Sequence, residues 1–332
     1  MNTAISTSVR VGSRLWTDGG INNLRLIDCD RLDPGAREIE IAVSHAGINF
    51  RDLLVAVDGP DGAYFGAECA GVVTRIGGQV SGVAVGDAVL AYAPGGLQSH
   101  VVVPAEVVVA RPDSIPAAMA AAVPIVYGTA YHALVERARV RSGERVLIQS
   151  ATGGLGLVAV SVARRAGAIV YATAGNPARR ELLRRLGVRH VADSRTLTYA
   201  ETFRDPAGGG VDVVLSAHTG DSVEAALSLL NPFGRYVDVT MPDNSPLRIP
   251  VAALSHCRSY LQVELHDLFD YDRSRLRTIL QKVVTMVEQG ELPEPLIRVF
   301  PVEQAADAFG QMLRSEHLGK FVLAFPSPRT EP

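Results

Sequence analysis

The chain has 332 residues, with 32 basic against 35 acidic side chains and a formal net charge of −3. A single core seldom grows past roughly 250–300 residues, so two domains are expected. An apolar fraction of 47% with 20% charged residues excludes general disorder, and the mild acidity argues against a nucleic-acid binder.

The opening segment, MNTAISTSVRVGSRLW, lacks the apolar centre of a signal peptide, and a cytoplasmic protein is expected. From Val9 to about Arg111 the texture is that of short strands: REIEIAV, AGVVTRIGG, AVLAY, then SHVVVPA and EVVVARP, punctuated by Gly, Pro and Asp. This reads as an all-β barrel or sandwich. After Pro112 an Ala-rich helical stretch, PAAMAAAVPIVYGTAYHALVERARV, leads into alternating units. Strands are predicted at VLIQSA, IVYATA, HVADS, VDVVLSA and GRYVDVTM, with helices at GLGLVAVSVARRAG, NPARRELLRRLG and VEAALSLLN. Such alternation implies a parallel, doubly wound sheet. Strand-like IRVFPV, helical EQAADAFGQMLRS and strand KFVLAF close the chain, and PSPRTEP reads as a linker or frayed end.

Residues 115–135 and 146–163 carry no charge, which raises the possibility of membrane spans. Pro116, Pro124 and Gly128 interrupt the first, and Gly153, Gly154 and Gly156 the second, so both read as buried α/β elements. Cys29, Cys69 and Cys257 form no Cys-x-x-Cys pair; neither a disulfide framework nor a zinc knuckle is expected, and burial as small apolar residues is. There is no Gly-x-Ser-x-Gly elbow and no His-Glu-x-x-His pair. The run RRELLRRLGVRH has the Leu spacing of a helix packed on a sheet, not of a nucleic-acid helix.

The most informative local pattern is Ala151-Thr152-Gly153-Gly154-Leu155-Gly156 between a strand and a helix. Such a turn lets the backbone approach a pyrophosphate at a helix N-terminus; an ordinary tight βα turn is the alternative. Dinucleotide sites that hold a free ribose 2′-hydroxyl carry an acid about 20 residues farther on. Here Thr173-Ala174-Gly175-Asn176 offers none, while Arg179, Arg180 and Arg195 follow. Cations without a carboxylate suit a 2′-phosphate, so NADPH is expected over NADH. For at least two of Arg179, Arg180, Arg184 and Arg185 a solvated helix face is the better reading.

At this point a resemblance emerges. Gly47-Ile-Asn-Phe-Arg-Asp, Gly66-Ala-Glu-Cys-Ala-Gly-Val-Val, Val85-Gly-Asp and Val123-Pro-Ile-Val-Tyr-Gly-Thr-Ala-Tyr stand in order before the glycine turn. Gly210-Val-Asp-Val-Val-Leu, Gly234-Arg-Tyr-Val and His317-Leu-Gly-Lys-Phe-Val-Leu follow it. Together they resemble the enoyl reductase domains of modular polyketide synthases, within the zinc-free medium-chain dehydrogenase/reductases. The resemblance implies an α/β chain: a GroES-like β-barrel substrate domain (1–122 and 290–332) with an inserted Rossmann domain (123–289). It implies hydride transfer from NADPH to the β-carbon of an enoyl thioester carried on an acyl carrier protein, with protonation at the α-carbon. It is compatible with a homodimer or part of a larger synthase, and leaves no role for nucleic acid or membrane.

The zinc-dependent relatives place Cys and His near Asn49-Phe-Arg-Asp and Gly66-Ala-Glu; no Cys or His stands at the first place and Ala67 takes the His position of the second, so no metal is expected. Other departures fall in the acid–base set. The family's Lys after the second Rossmann strand and the Asp that follows are Arg179 and Thr198 here, and a guanidinium is a poor acid. The stereochemistry-linked Tyr falls in Asp58-Gly-Pro-Asp, with Tyr64 displaced, and a Gly-Lys pair reads Thr240-Met241.

The catalytic candidates are Lys320, His218 and Asn49. Asn49 and Thr129 match positions lining the nicotinamide side. Lys320 is a possible proton donor or cofactor ligand, with a strand-edge surface lysine as its alternative. His218, at a strand's carboxyl end, could donate a proton or contact cofactor, or simply order its loop. The expected cofactor-binding set is Thr129, Thr152, Gly153, Gly154, Leu155, Gly156, Gly175, Arg179, Arg195, His218, Thr240 and Lys320. Water stays open as the α-proton donor. The rivals are a free-standing quinone or alkene reductase of the same superfamily, and an NADPH-binding domain with cyclase or non-reducing function.

Overall fold

The computed structural model describes residues 11–59, 64–204, 209–240 and 249–326. Met241, residues 60–61 of the Asp58-Gly-Pro-Asp stretch, the first ten residues and residues 327–332 lie outside that set. The chain divides into two compact units, Met1–Pro124 with Ile297–Pro332, and Ile125–Leu296. The second junction lies beyond the expected 289/290. Leu292 is buried and Tyr127 donates its hydroxyl to the Pro293 carbonyl (2.7 Å), which ties this segment to the second unit.

In chain order the first strands are β1 (Val11–Trp16), β2 (Arg25–Asp30), β3 (Glu38–Gly47), β4 (Glu68–Ile76), β5 (Ala88–Tyr92), β6 (His100–Pro104) and β7 (Val108–Ala110). Next come β8 (Arg145–Ile148), β9 (Ile169–Ala174), β10 (His190–Asp193), β11 (Val211–Ser216), β12 (Leu230–Asp238) and β13 (Ser259–Gln262); β14 (Ile297–Pro301) and β15 (Lys320–Ala324) end the series. The helices are α1 (Phe50–Asp58), α2 (Ala117–Ala120), α3 (Pro124–Tyr131), α4 (Gly154–Arg165) and α5 (Pro177–Arg185). They continue with α6 (Tyr199–Thr202), α7 (Asp221–Ser228), α8 (Leu265–Tyr271), α9 (Arg273–Glu288) and α10 (Ala305–Leu313).

In the first unit the sheet runs β14-β15-β3-β4-β5-β7, with β6 also on β3 and β1–β2 as a separate hairpin. Ile39, Ile41 and Val43 of β3 are buried, and so are Glu40 and Ala42 between them, so this stretch of the strand is covered on both faces. Helix α1 interrupts a stretch whose texture was all strand. Its start is a capping box: Asp52 Oδ2 accepts from the backbone N–H of Asn49, the N-cap residue (2.7 Å). The predicted Ala-rich helix is broken before Pro124 into α2 and α3, because proline disfavours helical geometry in the residue before it. Residues 132–137 then continue α3 as a π-helical turn.

Glu40 on β3 is fully buried. Burial alone would raise its pKa, but bonds from Arg75 Nε (2.8 Å), Arg31 Nη2 (2.8 Å) and Thr74 Oγ1 (2.5 Å) outweigh it and hold the carboxyl far below the usual range. A depressed folded-state pKa gives stability that is present above the unfolded value and lost as pH falls. Glu40→Gln is therefore expected to cost about 3 kcal/mol in urea denaturation at pH 7. The wild type should lose that advantage progressively below about pH 5, where the unfolded chain begins to take up the proton. Equal stability of the two proteins at pH 7 would refute the assignment.

In the second unit the sheet order is β10-β9-β8-β11-β12-β13, every neighbouring pair parallel. The chain leaves β8 towards β9 and β10, then returns to β11 and continues the other way. That reversal puts a topological switch point at the carboxyl ends of β8 and β11, where ligands bind in such sheets. Val146, Leu147, Ile148, Val213, Val214 and Leu215 are buried, which accounts for the uncharged run after residue 146. No helix among the described residues is long and apolar enough to cross a membrane. No element was predicted where β13, α8 and α9 lie; α9 buries Leu276, Ile279, Leu280, Val283, Val284 and Val287 at helical spacing. The three cysteines are free thiols: Cys69 is buried, Cys29 half-buried and Cys257 exposed, so the expectation of burial fails for Cys257.

Candidate active site

The second unit holds the glycine turn. Between β8 and α4, Gly156 lies so close to the preceding turn that a Cβ there would meet Ala151 Cα and the Ser150 carbonyl oxygen, each at 2.6 Å. Its absence of a side chain seats the first turn of α4 on the end of β8. No side chain caps α4 at Gly153, so the amide groups of its first turn remain as donors beside Thr152, Gly153, Gly154 and Leu155. Thr152 is buried within the turn.

At the carboxyl end of β9, Asn176 stands where an acid would hold a ribose hydroxyl. Its side chain instead accepts from the Arg179 backbone N–H (2.9 Å), capping α5, with Pro177 at the first helical position. The arginines sort themselves by partner. Arg180 pairs with Asp193 (2.7 Å) and donates to the Ala174 carbonyl. Arg184 and Arg185 both face Glu181 on the helix surface. Arg195 and Arg179 lie close enough to feel each other's charge. A Cβ on Gly175 would lie 3.3 Å from Arg195 Nε, and Arg195 depresses the Arg179 pKa together with burial, the larger cause. A guanidinium beside a glycine, with a second cation close enough to feel its charge, is an arrangement that suits an anion.

His218, after β11, is engaged on both ring nitrogens, with Ser150 Oγ at 2.7 Å from Nε2 and Ser222 Oγ at 3.0 Å from Nδ1. Burial lowers its pKa, favouring the neutral ring. Ser222 also meets Gln149 Nε2 (3.1 Å), whose second contact is the Tyr199 hydroxyl (2.9 Å). This network, which sequence reasoning missed, links the β8 and β11 turns and supports Ser150, a non-glycine residue at φ 51°. Thr240 donates its N–H (2.8 Å) and hydroxyl (2.7 Å) to Asp238 Oδ1 at the end of β12. Thr129 is half-buried on α3. Thr198 is an exposed residue preceding α6, hydroxyl to hydroxyl with Thr196 (2.7 Å).

Asn49 and Lys320 belong to the first unit and meet there. Strand β15 lies between β14 and β3, so Lys320 is on no sheet edge; it is 4% exposed. Its Nζ contacts Asn49 Oδ1 and forms an ion pair with Glu68 Oε1 (2.5 Å), while Asn49 Nδ2 donates to the same Glu68 oxygen (3.1 Å). Asp52 adds a second buried carboxylate, accepting the N–H groups of Asn49 and Gly66 (2.7 Å each). Burial raises the Asp52 pKa, against the pull of those two N–H groups and Lys320. Glu68 and Asp52 were not singled out from sequence. The Gly66-Ala-Glu motif and the Asn-x-x-Asp spacing were the signals that could have found them.

Residues 35–113 match the alcohol dehydrogenase GroES-like domain family, and residues 186–323 a zinc-binding dehydrogenase family. The chain is 38% identical over 98% of its length to a phenolphthiocerol/phthiocerol polyketide synthase protein of Mycobacterium tuberculosis, and spans about 15% of that protein. The crystal structure of CurK enoyl reductase aligns at TM-score 0.87 and 33% identity, over 95% of this chain and 99% of that one. The chain belongs to the polyketide synthase enoyl reductases. It has their medium-chain dehydrogenase/reductase fold, a GroES-like domain plus a Rossmann-type domain. The CurF ER cyclopropanase from curacin A biosynthesis also aligns, at TM-score 0.87 and 29% identity, over 95% of this chain and 99% of that one.

The family implies a nicotinamide cofactor, and the uncapped α4 start and the close-packed Gly156 suit a dinucleotide's pyrophosphate. Among the described residues no group of three or more His, Cys, Asp or Glu converges as metal ligands. Around Asn49 the carboxylates of Glu68 and Asp52 are committed to the Lys320 ammonium and to backbone N–H groups, so that cluster already holds its own cation.

Proposed function

We propose that this domain catalyses NADPH-dependent reduction of an α,β-unsaturated acyl thioester presented on an acyl carrier protein, as a cytoplasmic part of a polyketide or lipid synthase. The observation that supports the cofactor choice is Arg195 set beside Gly175 with Arg179 within reach of its charge, and Asn176 in place of an acid. In this reading the turn from Thr152 to Gly156 holds the pyrophosphate, and Arg179 and Arg195 hold the 2′-phosphate. Thr129 lines the nicotinamide side, and Thr240 shapes the end of β12. When bound, the reduced nicotinamide supplies a hydride to the β-carbon.

As that bond forms, the alkene electron pair moves towards the thioester oxygen, and an enolate results. Water then delivers the proton to the α-carbon. His218 acts through Ser150, holding the β8 turn, because both of its nitrogens are occupied. Lys320 is not assigned the proton either, since its ammonium serves Glu68 and Asn49. The absence of the family's Lys and Asp at positions 179 and 198 favours a second reading, a cyclase or non-reducing domain, and the likeness to CurF ER cyclopropanase supports weighing it.

One assay separates the readings. Crotonyl-pantetheine and NADPH should be consumed together, giving butyryl-pantetheine two mass units heavier. Loss of NADPH only with a small quinone would indicate the free-standing reductase, and no loss with either would favour the non-reducing reading. In fluorescence titration, Arg179→Ala should raise the NADPH Kd about ten- to a hundredfold, the worth of one charge-assisted contact. The NADH Kd should not move. Equal weakening of both cofactors would remove the 2′-phosphate role.

A further inference from the structure

We propose that Glu68 and Lys320 are positioning residues that lock the Asn49 carboxamide in one orientation, so that its remaining Nδ2 hydrogen donates to the thioester oxygen of the substrate. The inference rests on the enoyl-thioester reading above and adds to it the group that meets the enolate.

The main chain of Asn49 is fixed first, because its N–H is held by Asp52 as α1 begins. The side chain is then fixed by charge. Oδ1 faces the Lys320 ammonium and Nδ2 faces the Glu68 carboxylate (3.1 Å). Turning the amide over would set NH₂ against an ammonium and a carbonyl against a carboxylate, so only one orientation is tolerated. Both charged partners are buried, at 4% and 0% exposure, and cannot swing away to solvent. Of the 32 basic side chains only Lys282 and Lys320 are lysines. A compact ammonium can sit between an amide and a carboxylate where a planar guanidinium fork would not.

Asn49 itself is half-buried, and one Nδ2 hydrogen is committed to Glu68. The other is available on the more accessible side chain of the three. A cation on the amide oxygen draws density from the nitrogen and makes that hydrogen a stronger donor. A preorganised donor of this kind acts where negative charge develops, which in hydride addition to an enoyl thioester is the thioester oxygen. No proton is transferred by Asn49; it only donates a hydrogen bond.

The test uses the full chain with crotonyl-pantetheine and NADPH. Asn49→Ala should lower kcat about 100-fold, the usual worth of one such donor, while the NADPH Kd stays within about twofold of wild type. Glu68→Gln and Lys320→Met should each lower both stability and kcat. The charge-neutral double variant, Lys320→Met with Glu68→Gln, should recover stability but not kcat, because Asn49 is no longer oriented. Recovery of kcat with stability would overturn the positioning role, and a raised NADPH Kd with unchanged kcat in Asn49→Ala would assign Asn49 to the cofactor instead.

A readout independent of turnover is the Asn49 side-chain amide in protein labelled with ¹⁵N-asparagine. One hydrogen should be downfield and protected from exchange, and butyryl-pantetheine should shift the second. A protected first hydrogen with no response to the thioester overturns the substrate contact. If wild type protein fails to reduce crotonyl-pantetheine yet the second hydrogen responds, the reductase reading fails and the oriented amide stands.

Discussion

Gly156→Ala is expected to abolish measurable NADPH binding while leaving most of the fold in place. The added Cβ would stand 2.6 Å from both Ala151 Cα and the Ser150 carbonyl oxygen, and backbone atoms cannot rotate aside as a side chain would. The start of α4 must then separate from the end of β8, displacing the amide groups that are proposed to face the pyrophosphate. A shift of about 1 Å in such a site misplaces several hydrogen bonds at once, and a loss of about 100-fold or more in affinity follows. The overpacking itself should cost about 2 kcal/mol. Fluorescence titration with NADPH and urea denaturation check the two halves, and an unchanged Kd would show that the turn does not carry the cofactor.

Gly47→Ala should have the converse phenotype. Here the Cβ would lie 2.3 Å from Glu68 Oε1 and 2.8 Å from the Ala121 carbonyl oxygen. The carboxylate must leave the position in which it holds Lys320 and Asn49, and its alternatives are inside the same core. Breaking a buried ion pair together with overpacking should cost about 3–5 kcal/mol. NADPH binding should survive, because the glycine turn and the Arg179–Arg195 pair belong to the other unit. Turnover should fall with the loss of Asn49 orientation. Wild-type stability in this variant would mean that Glu68 has room to move, and would undercut the locked arrangement.

What could be read in advance depended on how local the signal was. Strand β9 and helix α5 follow from IVYATA and the Asn-Pro start, whose cap and proline act within four residues. The parallel sheet was legible because its buried strands are continuous apolar runs. Helix α1 was missed because its capping box sits inside a strand-rich stretch, and Asn49 was judged by motif, not by its partner three residues on. Lys320 shows where a local reading stops. The motif made it a candidate and left a strand-edge surface lysine as the alternative; the pairing of β15 with β3, hundreds of residues away in sequence, buries it against Glu68, a partner no local signal names. The arginine cluster was visible in the sequence, but its division, with Arg180 paired to Asp193 and Arg179 near Arg195, depends on the fold of the β10 end.

The most direct test of the proposed reaction is to follow hydrogen. With NADPH deuterated at the transferring C4 position, reduction of crotonyl-pantetheine in ordinary water should place one deuterium at the product's β-carbon and none at the α-carbon; in D₂O with unlabelled NADPH the pattern should reverse. Deuterium missing from the β-carbon while the thioester is consumed, or a thioester left intact while NADPH is bound, would contradict hydride addition by this domain.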